Sequence, residues 1–508
     1  MNSRCHDAEI HMKKSLLKPL SSLILAALMM LGSFAACSTE DGGAQTPSDD
    51  TAVDQTAADT TAAPEETELV YAADIPSGTN YNGYNFRVAV ADLTTIVWCD
   101  TDFSILEPSA DIVENAVYER KTKVEGQLGV EITPVYYLGD VANEMSKSIQ
   151  ADENAFDIGF APPKFSGART TEGWFLDLNN FPNIDLSDPW WDQNSVEDLS
   201  IKGKLFTVAG DIGYNYKRST SVLFFNKKLI ETKQLENPYD LVNNNQWTLD
   251  KLFEMADNIS EDLNGDSAIS PADDLYGFAN CPDTLNQMMV GAGVNVTEFD
   301  SEGTPTLCFM DERTTSVFEK ITTFIYDDAK SFNWEAVGVN AGTKFTNDQL
   351  LFMPTEFWVI TTYRDMATDF GVLPMPKYDA SQENYGHIVN AHVAALLMIP
   401  RTNTDNNMTG HVVSALGAEG KNLITPAYYE VALKTKMSRD TESEAMFDII
   451  FNSIDWNAGV IYNWGGFMDT TRSMVGAKNT DIASTYERMV KRINKDIEKV
   501  LEAYSKLG

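Results

Sequence analysis

The pattern of apolar and polar residues predicts alternating strands and helices from residue 84 onward. Phe86, Val88 and Val90 alternate with other residues, which is typical of a strand with one buried face. Helical spacing of apolar residues begins after Asp111, a residue type whose side chain caps helix starts. The elements predicted in this part are strands at 84–90, 130–132 and 156–160 and helices at about 111–126 and 141–149. Because strands that alternate with helices form βαβ units, the pattern predicts an α/β fold with a mostly parallel sheet.

The same patterns continue through the rest of the chain. Apolar runs predict strands at 203–208 and 221–226. A helix is predicted after Thr248, which can cap it, with apolar residues along one face. Charged and apolar residues alternate at helical spacing from about 481 to 507, which predicts a terminal helix docked on the surface.

The first 36 residues have the anatomy of a secretory signal. Three lysines precede an apolar centre at 20–31, and small residues lead from it to Cys37. The apolar centre is shorter than a membrane span. The segment 1–36 is therefore predicted to be a signal peptide, and the chain is predicted to be exported.

The residues around Cys37 resemble the lipobox of bacterial lipoproteins, in which the cysteine is acylated and becomes the new N-terminus. The acidic, Ser/Thr/Ala-rich segment that follows cannot bury enough apolar surface to fold. The resemblance implies an acylated Cys37 and a disordered acidic tether over 37–79, with the protein extracytoplasmic and lipid-anchored to the outer face of the membrane. The alternative is an ordinary cleaved signal in which this cysteine is incidental.

Length and charge limit the class of protein. The chain has 508 residues, and about 440 remain once the signal and tether are removed. A chain of this length is usually too long for a single hydrophobic core, so two lobes are expected. The net charge of -37 comes without clusters of lysine and arginine. Nucleic acid is therefore excluded as a partner, because a binder has to neutralise phosphates.

Cysteine and histidine give no support for a zinc site or a catalytic triad. Cys99, Cys281 and Cys308 form no CxxC pair, and the histidines of the exported part are few and widely spaced. Whether Cys281 and Cys308 form a disulfide or are buried as small apolar residues stays open at this point.

Several segments, in their order and spacing, resemble the extracellular solute-binding proteins of family 1, the maltose-binding-like receptors of ABC importers. These segments lie at 203–206, 223–229, 247–250, 345–352, 370–377 and 462–466. The similarity covers nearly everything from Tyr84 to the C-terminus. The resemblance implies a two-lobed periplasmic-binding-protein-like α/β fold with a hinge and an interlobe cleft.

The resemblance also implies how the chain divides between the lobes. Lobe one is expected at 80–210 plus 376–430, and lobe two at 211–375 plus 431–508. The chain is expected to cross between them near 209–216 and again near 375–378. Ligand contacts on both lobes would then favour the closed state only by their differential affinity for it.

Aromatic and acidic residues near the expected cleft are candidates for sugar binding. The apolar face of a sugar ring stacks on an aromatic side chain, while carboxylates and amides hydrogen-bond its hydroxyls. The candidate ligand-binding residues are Trp98, Asp100, Tyr214, Tyr216, Trp358, Trp464 and Asp469. The alternative for each aromatic residue is a place in the core as a large packing side chain.

The segment 262–273 resembles the EF-hand-like calcium loops of dockerins and of some solute-binding proteins. Calcium requires six to eight oxygen ligands from a tight turn. The candidate ligands are Asp262, Asn264, Asp266, the carbonyl of Ala268, and Asp273. Ser267 replaces the usual glycine, and Asp273 replaces the usual glutamate. The expected role of calcium is structural, and the alternative is a solvated acidic turn.

The function predicted from these features is that of a substrate-binding lipoprotein of an ABC importer. It would capture a carbohydrate, with an oligosaccharide as the first expectation, and deliver it to membrane permease subunits. The receptor is expected to be a monomer that catalyses no reaction and needs no organic cofactor. Two alternatives remain open. A surface glycan-active enzyme would need two carboxylates placed at one scissile bond, and a glycan-binding adhesion lipoprotein would not close around its ligand.

Overall fold

The computed structural model describes residues 69–94, 103–257, 259–363, 366–434 and 442–507. The predicted signal, Cys37, Trp98, Cys99 and Asp100 lie outside these residues. None of the described helices is long and apolar enough to cross a membrane. Cys281 and Cys308 are both free, and Cys281 is buried.

The strands, numbered in chain order, are short and separated by helices. They are β1 (Tyr84–Ala91), β2 (Val130–Tyr137), β3 (Ile158–Ala161), β4 (Ser221–Asn226), β5 (Tyr276–Asn280), β6 (Thr297–Phe299), β7 (Pro305–Leu307), β8 (Ser331–Asn333), β9 (Leu350–Glu356), β10 (Phe370–Leu373), β11 (His387–Ile388), β12 (Leu396–Met398) and β13 (Ile454–Asp455).

The α-helices range from one turn to the long terminal helix. They are α1 (Ile112–Leu128), α2 (Val141–Gln150), α3 (Pro163–Thr170), α4 (Gln193–Asp198), α5 (Asn215–Arg218), α6 (Lys227–Thr232), α7 (Pro238–Asn243), α8 (Leu249–Asp257), α9 (Thr284–Gly291), α10 (Glu312–Ile325), α11 (Trp334–Val337), α12 (Ala341–Thr346), α13 (Asn406–Glu419), α14 (Thr425–Lys434), α15 (Glu442–Asn452), α16 (Ala458–Ile461), α17 (Phe467–Ala477) and α18 (Ile482–Lys506).

The first sheet has the strand order β12-β3-β1-β2. Strand β1 is parallel to both β2 and β3, whereas β12 is antiparallel to β3. Helix α1 packs against α13 and α14. It begins at Asp111, which accepts backbone hydrogen bonds from Val113 and Glu114, and ends at Gly129, whose φ of 62° is left-handed. The predicted βαβ start of the chain is confirmed.

The second sheet has the strand order β10-β4-β9-β5-β8. Strand β4 is antiparallel to both of its neighbours, and β5 is parallel to β9 and β8. The predicted strand at 221–226 and the helix after Thr248 are confirmed, with Lys251 N 3.3 Å from the Thr248 hydroxyl. Each of the two sheets has its own strands and helices, so the fold is α/β with two lobes.

The chain passes between the two sheets at two places that lie side by side. Val208 pairs with Leu397 of β12, and β4 of the other sheet begins thirteen residues later at Ser221, so the first crossing occupies 209–220. The return occupies 389–395, where Asn390 N donates to Ser219 O at 2.8 Å. The predicted second crossing near 375–378 is too early, because Lys377 still pairs with Thr248 beside the second sheet.

Two other expectations need correction. The strand predicted at 203–208 does not form, because Leu205 exchanges hydrogen bonds with Leu178 N and the Asp177 carboxylate instead of with a strand. The folded part also begins before residue 80. Tyr71, predicted in the tether, exchanges two hydrogen bonds with the Asn422 side chain, at 2.9 and 2.8 Å.

The predicted terminal helix is confirmed as α18, which begins at its cap Asp481. It contacts residues that follow β3 and β7 in the chain. Tyr504 donates to the Thr170 hydroxyl at 2.8 Å, at the end of α3, while Tyr486 packs 5.7 Å from Phe309, beyond β7. The division of the C-terminal region between the lobes stays a prediction.

A buried ion pair holds the first crossing in place. Lys217 Nζ lies 2.6 Å from Asp211 Oδ1, and the two side chains are 8% and 2% exposed. Thr425 also donates to Asp211, and Lys421 lies 3.4 Å from its other oxygen. Burial raises the pKa of the Asp211 carboxyl and the two lysines lower it, with a net shift below the usual value. Asp211 therefore ties the crossing to the start of α14.

We predict that Asp211→Asn lowers the free energy of unfolding by about 3 kcal/mol, because it leaves Lys217 buried without its partner. The measurement is urea unfolding followed by circular dichroism. Glu502→Gln is the matched control, since the Glu502–Lys506 pair is more than two-thirds exposed on both sides and should contribute less than about 1 kcal/mol. Equal effects of the two substitutions would contradict a structural role for Asp211.

Candidate functional site

Charged and polar side chains gather where strands of the two sheets end. Lys164 follows β3, Asp283 follows β5, Glu356 is the last residue of β9, and Asn390 and His392 precede β12. In open α/β sheets, ligands bind in the crevice at the carboxyl ends of strands. We call the crevice cluster the set Lys164, Asp283, Glu356, Asn390, His392, Asp469 and Arg472.

One part of the crevice cluster joins α3 to α17. Lys164 Nζ lies 2.6 Å from Asp469 Oδ1 and 3.1 Å from His392 Nε2. Asn463 donates to the other oxygen of Asp469 at 2.9 Å. Burial, Lys164 and Arg472 together lower the pKa of His392 to about 4. His392 is therefore neutral at physiological pH, and Lys164 and Asp469 are the charged groups here.

Asn390 connects that part to Glu356 of the second sheet. Its side-chain Nδ2 donates to Glu356 Oε1 at 3.0 Å, and its Oδ1 accepts from His392 N at 3.0 Å. Its backbone N is hydrogen-bonded to Ser219 O in the first crossing. The nitrogen and the oxygen of the Asn390 side-chain amide thus fix the end of β9 and the segment before β12 relative to the first crossing.

Glu356 is the carboxylate of the cluster without a cationic partner among the described residues. Asn390 is its side-chain donor, and no lysine or arginine of the described ranges lies within ion-pair distance of it. Burial raises the pKa of Glu356 to about 7 and Asp283 adds to the increase, while Asn390 and Arg472 oppose it. Glu356 can therefore accept hydrogen bonds or balance a positive charge near neutral pH.

Asp283 and Arg472 form an ion pair between α9 and α17. Burial disfavours the charged form of Arg472, but Asp283 holds the pKa of Arg472 above its usual value. Asn286 and Gln287 follow Asp283 by three and four residues and so share its face of the helix. They are 3% and 4% exposed, and both polar atoms of Asn286 and the Oε1 of Gln287 have no hydrogen-bond partner in the described structure.

One residue predicted from the sequence belongs to this cluster, and a second follows Glu356 closely in the chain. Asp469 is a member of the crevice cluster. Trp358 follows Glu356 by two residues in the 3-10 helix Phe357–Tyr363 and is only partly buried. Phe165, which the sequence did not indicate, is 37% exposed and packs edge-on against His392 with ring centroids 6.0 Å apart. The site therefore has aromatic surface as well as polar groups.

Three other predicted aromatic residues are buried and pack against aromatic neighbours. Tyr214 lies 5.2 Å from Tyr428, and Tyr216 lies 6.2 Å from Trp456, measured between ring centroids. Trp464 is 5% exposed and lies 6.2 Å from the ring of Tyr462. Their role in ligand binding stays a prediction.

Sequence reasoning missed Lys164, Asp283, Glu356, Asn390 and Arg472. One signal was present, because Lys164 directly follows the Pro162-Pro163 pair that ends a predicted strand. Strands β5 and β9 were not predicted, so nothing indicated that Asp283 and Glu356 stand at strand ends. The partner of each residue comes from a distant part of the chain.

The predicted calcium loop adopts much of the expected turn. The Asp262 carboxylate accepts from Gly265 N and Ser267 N, at 2.6 and 2.7 Å, and Ser267 takes the left-handed φ of 69° expected of the glycine it replaces. Asn264 Oδ1 and Asp266 Oδ1 accept from backbone N–H groups two residues on.

The end of the loop differs from the pattern. Asp273 is exposed, and the carboxylate that accepts from Leu263 N and Ser270 N, at 2.9 and 2.8 Å, is that of Asp274. In the described ranges, no three His, Cys, Asp or Glu side chains are grouped as metal ligands. The first half of the loop therefore fits calcium better than the second half.

A separate cavity of about 1140 Å³ lies beside β13. Its lining includes the acids Glu197, Asp198, Glu298, Glu383, Asp448 and Asp455. Burial and the nearby Asp455 raise the pKa of Asp198 to about 7. The lining also includes Phe299, Tyr385 and five asparagines but no lysine or arginine. The crevice cluster joins residues at strand ends of both sheets, which makes it the better candidate for a ligand site.

Comparison with known proteins was informative only at the level of structure. No protein-family model matches the chain. No curated protein matches its sequence either.

Solved structures with the same fold are solute-binding proteins. An ABC substrate-binding protein from Listeria monocytogenes in complex with cycloalternan is 12% identical, over 83% of this chain and 99% of its own, with a TM-score of 0.52. A sugar transporter from Rhizobium etli in an open conformation is 13% identical, over 83% and 99%, with a TM-score of 0.54. UspC from M. tuberculosis is 14% identical, over 81% and 99%, also with a TM-score of 0.54.

These similarities show the fold of the chain. It is the two-lobed α/β fold of ABC-importer solute-binding proteins, with a hinge and an interlobe crevice. The predicted fold class is confirmed. The crevice cluster consists of residues near the strand ends of both sheets and on helix α17, which is where this fold has its crevice.

We predict that Glu356→Gln stabilises the unliganded protein near pH 8 by about 2 kcal/mol and by less than about 1 kcal/mol near pH 5. A carboxyl with a raised pKa costs stability when ionised, and this cost declines as the pH falls through about 7 toward the pKa of the unfolded state. Glutamine keeps the acceptor for Asn390 without the charge. Urea unfolding at the two pH values measures the difference, and a gain that is the same at both would contradict the raised pKa.

Proposed function

We propose that the protein is the sugar-binding receptor of an ABC importer and transforms nothing. The observation that carries the proposal is the crevice cluster, which brings polar groups from both sheets together in a fold shared with solute-binding proteins. Neighbours with this fold include proteins solved with cycloalternan and with α-D-tagatose. They support a carbohydrate as the ligand of this chain.

The side chains of the crevice suit sugar hydroxyls and ring faces. Glu356 and Asn390 offer hydrogen-bond acceptor and donor atoms. The Asp283–Arg472 pair, between α9 and α17, offers further acceptors and donors. Trp358 and Phe165 offer partly exposed aromatic surface on which a sugar ring can stack. Because these groups belong to different lobes, a ligand that contacts all of them favours the closed state.

We predict that Trp358→Ala lowers the affinity for the sugar that the intact protein binds by roughly tenfold or more, through lost stacking and apolar contact. Isothermal titration against neutral oligosaccharides, chosen by a thermal-shift screen, measures the change. Trp174→Ala is the matched control, because Trp174 is partly buried but stacks on Arg401, away from the crevice cluster.

Equal affinities of the two tryptophan variants, with both folded, would remove Trp358 from the site. Absence of binding to every mono- and oligosaccharide tested would contradict the proposed function itself. Hydrolysis of an oligosaccharide during the titration would favour the enzyme instead.

We also propose that the protein works outside the cell, attached by a lipid at Cys37, and passes its ligand to permease subunits as a monomer. The support is in the sequence, where a signal-like segment ends at a lipobox-like cysteine followed by an acidic tether. An acylated tether would hold the receptor close to its permease.

The loop after α8 is proposed as a structural calcium site, with Asp262, Asn264, Asp266, the Ala268 carbonyl and Asp273 as ligands. Its support is the turn described above, in which the first carboxylate already organises the backbone. Oxygen ligands of this kind suit a hard cation. Calcium would fix the loop between α8 and β5.

We predict that calcium raises the melting temperature of chelator-treated protein, because an ion that binds only the folded state stabilises it. Asp262→Asn should reduce this increase. Asp300→Asn is the matched control, since Asp300 organises another exposed turn by accepting from Glu302 N and Thr304 N. No increase with the intact protein would show that the loop is a solvated acidic turn.

A further inference from the structure

The charges of the crevice cluster do not balance. Lys164 is paired with Asp469, and Arg472 is paired with Asp283. Glu356 remains as the carboxylate without a cationic partner at ion-pair distance among the described residues. His392, which lies between the two pairs, is held neutral by burial and by Lys164.

A partly buried carboxylate without a cation is costly, and a ligand that supplies positive charge removes that cost. A neutral hydroxyl can donate one hydrogen bond to Glu356 but leaves its charge uncompensated. A ligand carboxylate would face Glu356 and Asp283 while both cations of the cluster are already paired. The charge inventory thus ranks a cationic ligand first, a neutral ligand second and an anionic ligand last.

The helix that begins beside the Asp283–Arg472 pair carries further polar groups without partners among the described residues. Asn286 and Gln287 lie on the face of α9 that begins with Asp283, and Asp283 acts electrostatically on Glu356. Both side chains are more than nine-tenths buried and carry unpartnered polar atoms. Unpaired buried amides are unfavourable unless a polar group meets them.

We propose that the crevice selects sugars that carry an ammonium group, with the ammonium held against Glu356. This inference rests on the proposed sugar-binding function and specifies its ligand class. Glu356 accepts the charged donors, Asn390 orients the carboxylate, and Trp358 lies two residues away for the ring face. Glu356 is then the residue that determines specificity.

The test is isothermal titration of the full-length chain, near pH 7, with oligosaccharides that differ only at carbon 2. The three members of the series carry a hydroxyl, an ammonium or an acetamido group, in the gluco and the galacto configuration. We expect the ammonium sugar to bind at least about tenfold more tightly than its hydroxyl counterpart, since hydrogen bonds between charged groups are stronger than neutral ones.

The Glu356→Gln variant tests whether Glu356 causes the preference for the ammonium sugar. It should bring the ratio of ammonium to hydroxyl affinity close to one, whereas Glu172→Gln, at an exposed acid paired with Arg169 away from the cluster, should leave the ratio unchanged. Circular dichroism and thermal melting establish that both variants fold.

The other outcomes separate the ammonium preference, the role of Glu356 and the proposed function. Equal or tighter binding of the hydroxyl or acetamido sugar overturns the inference and leaves the proposed function intact. An ammonium preference that persists in Glu356→Gln overturns the assignment to Glu356. Failure of every sugar to bind overturns both the inference and the proposed function.

Discussion

The bridge that Asn390 forms between the two chain crossings is the constraint on which the candidate site depends. Its backbone is hydrogen-bonded to Ser219 of the first crossing, and its side chain joins Glu356 at the end of β9 to His392 before β12. An amide with both polar ends used has one orientation. The carboxyl ends of strands from two sheets are therefore fixed around one crevice, while the segments that carry them are short enough to act as a hinge.

Burial and pairing then decide the chemistry of that crevice. Where a charge has a partner, as in the pairs Lys164–Asp469 and Arg472–Asp283, the ionised forms are stabilised. Glu356 lacks such a partner, and its pKa rises. The paired charges hold the surrounding side chains in place. Glu356 is the carboxylate to which a ligand can still supply a charged partner.

Local patterns predicted some of the elements but not the site. Strand β4, the cap at Asp111 and helix α18 follow from an apolar run, capping chemistry and helical spacing, which are properties of neighbouring residues. The strand predicted at 203–208 failed because an apolar run says nothing about which backbone pairs with it. The contact between Lys164 and Asp469 spans 305 residues, and no local pattern reports such a pairing. Asp469 and Trp358 were predicted because aromatic and acidic residues were sought near the expected cleft, and their roles in ligand binding stay predictions.

Closure of two lobes around a small ligand should make the protein more compact. Small-angle X-ray scattering of the protein with and without a saturating sugar measures this change. We predict a smaller radius of gyration when the ligand is bound, because contacts from both sheets favour the closed state. Saturation of the site with no change in the radius of gyration would contradict it.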